Sequence, residues 1–253
     1  VRQNGSKTKK FVNLDMEAYR DLAITSQAFI RTLDQEEFKD HHAGMALQAY
    51  LPDSYHILQE ITHWARKRVA AGGSPVKIRI VKGANLEMEQ LESAIFGWPL
   101  APFDNKLEVD ANWKRMVDFG MQPENIQAVR LGIASHNLFD QAYAYLTARR
   151  NQVLDLFSFE MIEGMANYLR RAIQETGQEM VTYVPVATRD QFINAIGYLI
   201  RRLDENTGAK NFLRQLNRLE KNSSAWQTLT DHFKASLQQK DRPAKPPHRT
   251  QNW

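Results

Sequence analysis

Val76-Lys77-Ile78-Arg79-Ile80-Val81-Lys82-Gly83-Ala84 is the stretch on which the architecture turns. Residues 76–81 are a β-branched run in which Lys77 and Arg79 share one face, the period-two pattern of a strand. Lys82-Gly83-Ala84 ends the run, and helical segments follow near residues 87–95 and 110–119. A strand that feeds a helix is half of a βαβ unit, and the same unit recurs on both sides. Upstream, the spacing predicts a strand over 11–16 before a helix over 17–33, and a strand over 44–51 before a helix over 53–71. Downstream, strands over 127–134, 154–160 and 181–186 precede helices over 138–149, 163–176 and 190–205. Six alternations of strand and helix argue for a parallel sheet with right-handed crossovers.

Such a sheet either stays open or closes into an eight-stranded barrel. Polar residues at strand ends favour the barrel. Asn13 and Asp15 share a strand face, and Gln48, His136 and Glu160 also sit at or near C-terminal strand ends, where a barrel builds its active site. No Gly-x-Gly-x-x-Gly follows the first strand, so a dinucleotide-binding doubly wound fold has little support. The expected class is therefore α/β, a TIM-type barrel of which six units are present. Residues 1–10 form a polar tail, 11–222 the barrel region, and 223–253 a helical and proline-rich linker.

Composition narrows the chemistry. The 253 residues are enough for one large α/β domain, and 43% hydrophobic content supplies its core. With no cysteine in the chain, disulfides, zinc-thiolate sites and thiol nucleophiles are excluded. No apolar run approaches a membrane span, so the chain reads as soluble. The net charge of +4 is unevenly placed: residues 1–10 carry +4, residues 240–253 carry +3, and the body between them is left at −3. A nucleic-acid surface is not expected from a slightly acidic body with basic tails. His41-His42 has no further ligand at metal spacing, and Trp98 and Trp113 read as packing residues.

Tyr198-Leu-Ile-Arg-Arg-Leu-Asp-Glu-Asn206 carries the most specific chemistry. At about 100° per residue, Tyr198, Arg201, Arg202 and Glu205 share an arc of roughly 100°. Two guanidinium forks on one face suit a small carboxylate. A solvated charged face with Arg201–Glu205 pairing fits the same spacing.

Taken together the motifs resemble a known family. Val12-Asn-Leu-Asp-Met-Glu17, Leu47-Gln-Ala-Tyr50, Arg79-Ile-Val-Lys-Gly-Ala84, Ala134-Ser-His-Asn137, Phe159-Glu-Met-Ile-Glu-Gly-Met165, Tyr183-Val-Pro-Val186 and the arginine-pair segment occur in the order found in proline dehydrogenase. Lys82-Gly-Ala-Asn-Leu-Glu-Met-Glu89, Gly97-Trp-Pro99 and Glu108-Val-Asp-Ala-Asn112 are similar to the bifunctional proline utilisation A subgroup. The resemblance implies a distorted (β/α)8 barrel that binds FAD and oxidises L-proline to 1-pyrroline-5-carboxylate, with hydride passing to flavin N5. It implies that Arg201 and Arg202 bind the proline carboxylate, that Glu205 steadies one guanidinium, and that Tyr183 and Tyr198 wall the ring. It places Asp15 near the substrate and Arg79 near flavin N5 as the catalytic pair. Met16, Gln48, Arg79, Val81, Lys82, Gly83, Ala84, Ser135 and His136 then contact FAD, and no metal is involved. A quinone-type electron acceptor, an aldehyde dehydrogenase module on the same polypeptide, and a cytoplasmic location with peripheral delivery of electrons at the inner membrane complete what it implies.

Two departures qualify the resemblance. It begins at what would be the third barrel strand, so strands 3 to 8 are expected here, and a truncated, inactive piece is the alternative to a working enzyme. Asn85 stands where many relatives have tyrosine after Lys-Gly-Ala. The absence of cysteine also denies this chain the nucleophile of an aldehyde dehydrogenase.

Overall fold

The apolar residues at alternate positions of each extended run have one covered side to occupy, and that requirement assembles the sheet. The computed structural model describes residues 10–205, 212–215, 219–242 and 244–250. Six strands, β1 (Val12–Leu14), β2 (Ala43–Gln48), β3 (Val76–Val81), β4 (Val129–Ile133), β5 (Phe157–Ile162) and β6 (Met180–Tyr183), pair in parallel and in chain order. Ile78 stands opposite Met45 and Leu131, and all three are fully buried. Arg79 stands opposite Ala46 and Gly132 on the other face, so the polar residues of β3 line up with the small residues of its neighbours.

The buried face is covered by α2 (Asp53–Ala70), α4 (Lys106–Gly120) and α6 (Leu138–Arg150). These helices contribute Leu58, Ile61, Trp113, Met116, Val117 and Ala144 at 0% exposure. Burying a side chain such as Leu58 or Ile61 is worth about 1.5–3 kcal/mol, so this layer is the main stabilising core. The remaining helices are α1 (Leu22–Leu33), α3 (Leu86–Phe96), α5 (Pro123–Ile126), α7 (Asn167–Glu175), α8 (Phe192–Glu205), α9 (Phe212–Gln215) and α10 (Ser224–Gln239). Among the described residues the sheet is a half-barrel, with β1 and β6 at its two edges.

Most expected elements lie within a few residues of the observed ones, and the strand over 76–81 matches residue for residue. Residues 154–156 depart from expectation: they form a 3-10 turn, and β5 starts at Phe157, the first residue in register with Leu131. The helix expected from 163 begins only at Asn167, because Gly164 (φ 85) and Ala166 (φ 50) turn the backbone left-handed first. The helix expected from 17 opens with a 3-10 turn at Tyr19–Asp21.

The helical part of the segment after 222 is α10. Ser223 caps α10 by accepting a hydrogen bond from the Trp226 amide at 3.2 Å, and α10 then lies along α4. Trp226 and Phe233 recur one face apart and pack on Phe139 at ring distances of 5.2 and 5.8 Å. No helix among the described residues is long and apolar enough to cross a membrane.

Candidate functional site

The concave face and the loops at the C-terminal strand ends enclose a cavity of about 260 Å³. Parallel strands put their C-terminal ends on one side, so residues distant in sequence converge there. Asp15, Met16, Gln48, Arg79, Val81, Lys82, Gly83, Ala84, Ser135, His136, Tyr183, Tyr198 and Arg202 all line it. Arg201 is not in the lining, and the Glu205 side chain lies outside the described residues.

Arg79 occupies the floor. Its Nη2 pairs with Asp15, its Nη1 lies 3.8 Å from Glu160 Oε2, and its guanidinium sits 5.2 Å from the Tyr183 ring centroid. Burial works against the charge, but Asp15, Tyr183 and Glu160 outweigh it and hold the pKa of Arg79 above the ordinary arginine value. Burial pushes the Tyr183 hydroxyl up to about 12, so it is neutral at pH 7. Asp15 pairs with Arg79 and accepts from Asn13 Nδ2 at 3.1 Å.

Several wall residues hold the site together through bonds the sequence could not specify. Gln48 Nε2 donates to the Met16 and Glu17 carbonyls at 3.0 Å each, while its Oε1 accepts from the Ala84 amide at 3.2 Å. One side chain thus ties the loops after β1 and β3 together. Ser135 Oγ donates to Asp140 Oδ2 at 3.0 Å and accepts from the Asn137 amide at 3.2 Å, so its hydroxyl organises the start of α6. Gly83 has a φ of 141°, and a Cβ there would lie 2.6 Å from Tyr50 Cδ2. Glycine at this position is accordingly demanded by the turn and by the Tyr50 ring behind it.

Lys82 lines the wall with its ammonium turned into a buried acidic pair, 2.6 Å from Asp110 and 2.5 Å from Asp140. Burial opposes its charge, but the two carboxylates prevail and raise its pKa, while Asp110 is held well below the usual carboxylate range by Lys82 and Lys106. Lys106 reaches Asp110 Oδ2 at 3.0 Å and also lines the cavity. His232 of α10 completes the group, 2.7 Å from the same oxygen.

At the opposite wall, Arg202 lies 4.6 Å from the Tyr198 ring centroid, one helical turn away. Arg202 Nη2 and Arg201 Nη1 each stand 3.5 Å from one oxygen of Glu17. The arginine pair therefore brackets a carboxylate, although Arg201 is exposed at the rim. Glu17 and Lys106 were not singled out from the sequence. Glu17 had a usable signal, since it lies two residues past Asp15 at a strand end; Lys106 sits at the start of a helix and had none. Glu160 pairs with Lys77 and Arg79, and Glu163 pairs with Arg170.

Two polar atoms of the wall, Arg79 Nε and His136 Nε2, are buried without a hydrogen-bond partner among the described residues. Burial lowers the His136 pKa, which leaves a neutral imidazole. Leaving such atoms unsatisfied costs about 1–3 kcal/mol each, and a planar ligand with ring nitrogens and carbonyls would satisfy both. The residues present thus fit a flavin ring.

The family model for proline dehydrogenase matches residues 2–215. The fold superposes on proline utilization A from Corynebacterium freiburgense with a TM-score of 0.84 at 40% identity, over 95% of this chain and 23% of that one. Proline utilization A from Bdellovibrio bacteriovorus, inactivated by N-propargylglycine, gives 0.79 at 34% identity, over 90% and 22%. A Bradyrhizobium japonicum proline utilization A mutant shares the fold at 0.70 and 21% identity. The chain spans about a quarter of the length of these structures. A comparison with curated proteins returned no match.

Proposed function

The chain belongs to the proline dehydrogenase family, and on that premise we propose that its cavity binds FAD and L-proline and serves the oxidation of proline to 1-pyrroline-5-carboxylate. The observation that carries this reading is the pairing of two unsatisfied buried donor or acceptor atoms, on Arg79 and His136, with an arginine pair that brackets a carboxylate across the same cavity. The strands correspond on this reading to strands 3 to 8 of a (β/α)8 barrel. A quinone-type acceptor, an aldehyde dehydrogenase module on the same polypeptide, and a cytoplasmic site of action with contact at the inner membrane belong to it as well.

FAD, when bound, would supply the hydride acceptor. The protein groups do the rest by placement. Arg202 and Arg201 exchange the Glu17 carboxylate for that of the substrate, a charge-assisted contact for which their forks are suited. Tyr198 and Tyr183 give the pyrrolidine ring an apolar surface, and Tyr183 stays neutral because it is buried. Arg79, fixed between Asp15 and Glu160, presents positive charge where negative charge develops on reduction. His136 and the backbone of residues 81–84 line the cofactor side, and Gln48 keeps the two loops together.

A second reading has its own observation. Phe192, Ile193 and Ile200 on α8 are 50% or more exposed, and β1 and β6 have unsatisfied edges among the described residues. On this reading the isolated chain folds but does not turn over. Absorbance between about 350 and 500 nm separates the two. Flavin that co-purifies near one equivalent and bleaches with proline supports the first reading; flavin binding without bleaching supports the second. No flavin binding by a longer polypeptide that retains this region would overturn the first.

A further inference from the structure

Beside Arg79 the concave face carries a second charged pair, Lys77 two residues before Arg79 on β3 and Glu160 two residues past Ser158, the β5 residue level with Arg79 across Gly132. Glu160 on β5 is buried, with Oε1 2.6 Å from Lys77 Nζ on β3 and Oε2 3.8 Å from Arg79 Nη1. Lys77 also donates to Ser158 Oγ at 2.8 Å. The space for this pair exists because the intervening strand places glycine there: a Cβ on Gly132 would lie 2.8 Å from Glu160 Cδ and 3.0 Å from Lys77 Cε. Arg79 is thereby held from two sides, by Asp15, whose side chain is 61% exposed, and by Glu160, at 6%.

Asp15 holds Nη2 through a direct hydrogen bond, while Glu160 attracts Nη1 as an ion pair 3.8 Å away, beyond hydrogen-bond reach. Water competes for Asp15 and weakens its grip, whereas Glu160 faces Arg79 where screening is small. A buried carboxylate persists as an anion only when paired, and Lys77 supplies that pairing. The four groups Lys77, Arg79, Glu160 and Asp15 sum to zero charge at the cavity floor.

We propose that Glu160 is a positioning residue for Arg79, with Lys77 as its counter-ion and Gly132 as the residue that makes room for the pair. Glu160 aims the guanidinium, and the Lys77–Glu160 pair keeps the floor neutral. The consequence for a bound flavin rests on the proposed function; the consequence for Arg79 does not. Glu160→Gln keeps the volume and removes the charge, leaving one extra positive charge on the floor. Lys77→Met leaves one extra negative charge, and the double variant restores neutrality.

The test has two arms. In the flavin-free chain, exchange of the Arg79 Nε–H, followed by nitrogen-15 magnetic resonance, should be about tenfold faster in Glu160→Gln than in the wild type, because a less restrained side chain opens to water more often. In the flavin-loaded protein, redox titration should shift the reduced-to-oxidised ratio at fixed potential up about tenfold in Glu160→Gln and down by a similar factor in Lys77→Met. The double variant should return to near the wild-type ratio. Unchanged Arg79 exchange in Glu160→Gln would overturn the positioning role, and single variants whose ratios move in the same direction would overturn the charge balance. Failure of the wild-type protein to take up flavin would overturn the proposed function and the charge-balance arm, while the exchange arm still decides the role of Glu160.

Discussion

Replacing Lys114 with methionine should remove a specific alkaline component of stability. Lys114 on α4 is 1% exposed, and among the described residues its ammonium has only neutral direct partners: Ser236 Oγ at 2.8 Å, the Asp110 carbonyl at 3.4 Å and the Phe233 ring face at 4.6 Å. Burial pushes its pKa down to about 8, against the attraction of Asp140 and Asp110. The folded value lies below the unfolded one near 10.5, so between them the unfolded chain binds more protons and stability rises with pH. Below about pH 8 both states are protonated and the full penalty of burying the charge is present. At 1.36 kcal/mol per unit, a depression of about 2.5 units makes that penalty about 3 kcal/mol, of which about 2–3 kcal/mol is relieved between pH 7 and pH 10. Lys114→Met keeps the volume and titrates nothing. Urea unfolding of both chains at pH 7, 8, 9 and 10 should show wild-type stability gaining about 2–3 kcal/mol on the variant over that range. A difference that stays constant to within about 0.5 kcal/mol would refute the argument, since it would mean that Lys114 reaches water or a carboxylate in the folded protein.

Three other substitutions probe separate parts of the structure. Lys82→Met takes the ammonium away from two buried aspartates, leaving Asp110 with Lys106 and His232 and Asp140 with the Ser135 hydroxyl, and should cost about 3–5 kcal/mol at pH 7; thermal melts showing a loss under about 1 kcal/mol would contradict it. Arg202→Met should weaken binding of a proline-like ring carboxylate by about 30-fold or more, from the 2 kcal/mol or more typical of such a truncation, while FAD affinity changes little; calorimetry showing equal losses would make the arginine structural. Gly83→Ala meets both a φ of 141° and the Tyr50 ring, and should lose at least about 1–3 kcal/mol in denaturant unfolding, in contrast to alanine placed at Gly197, which has nothing within 4 Å of the added atom and no left-handed backbone.

The strand order and most element types were legible because each strand announces itself locally. Val76, Ile78 and Ile80 alternate with Lys77 and Arg79, and the parallel register brings those same polar residues to the concave face. Thirteen of the expected site residues line one cavity for the same reason: each stands at or just beyond a strand's C-terminal end, and parallel strands share that end, or on the turns of α8 facing it. Boundaries failed where local geometry overrode pattern, as at the left-handed Ala166 and the 3-10 turn over Leu154–Leu156. A helical segment after 222 was legible, whereas the docking of α10 against α4 was not, because its apolar residues are spread among polar ones.

Composition and motif order by themselves determined the class of the fold, the absence of thiol chemistry, and the residue types available for a carboxylate and a flavin. They could do so because strand periodicity and side-chain inventory are local properties. Only the tertiary structure decided which groups are already committed: that Lys82 faces two buried aspartates, that Ser135 organises a helix start, that Gln48 bridges two loops, and that Glu160 lies beside Arg79 where Gly132 leaves room. Those pairings join residues on different elements, tens of positions apart in most cases. They depend on register and burial, and a charge acquires its partner and its strength only once the fold has removed the water around it.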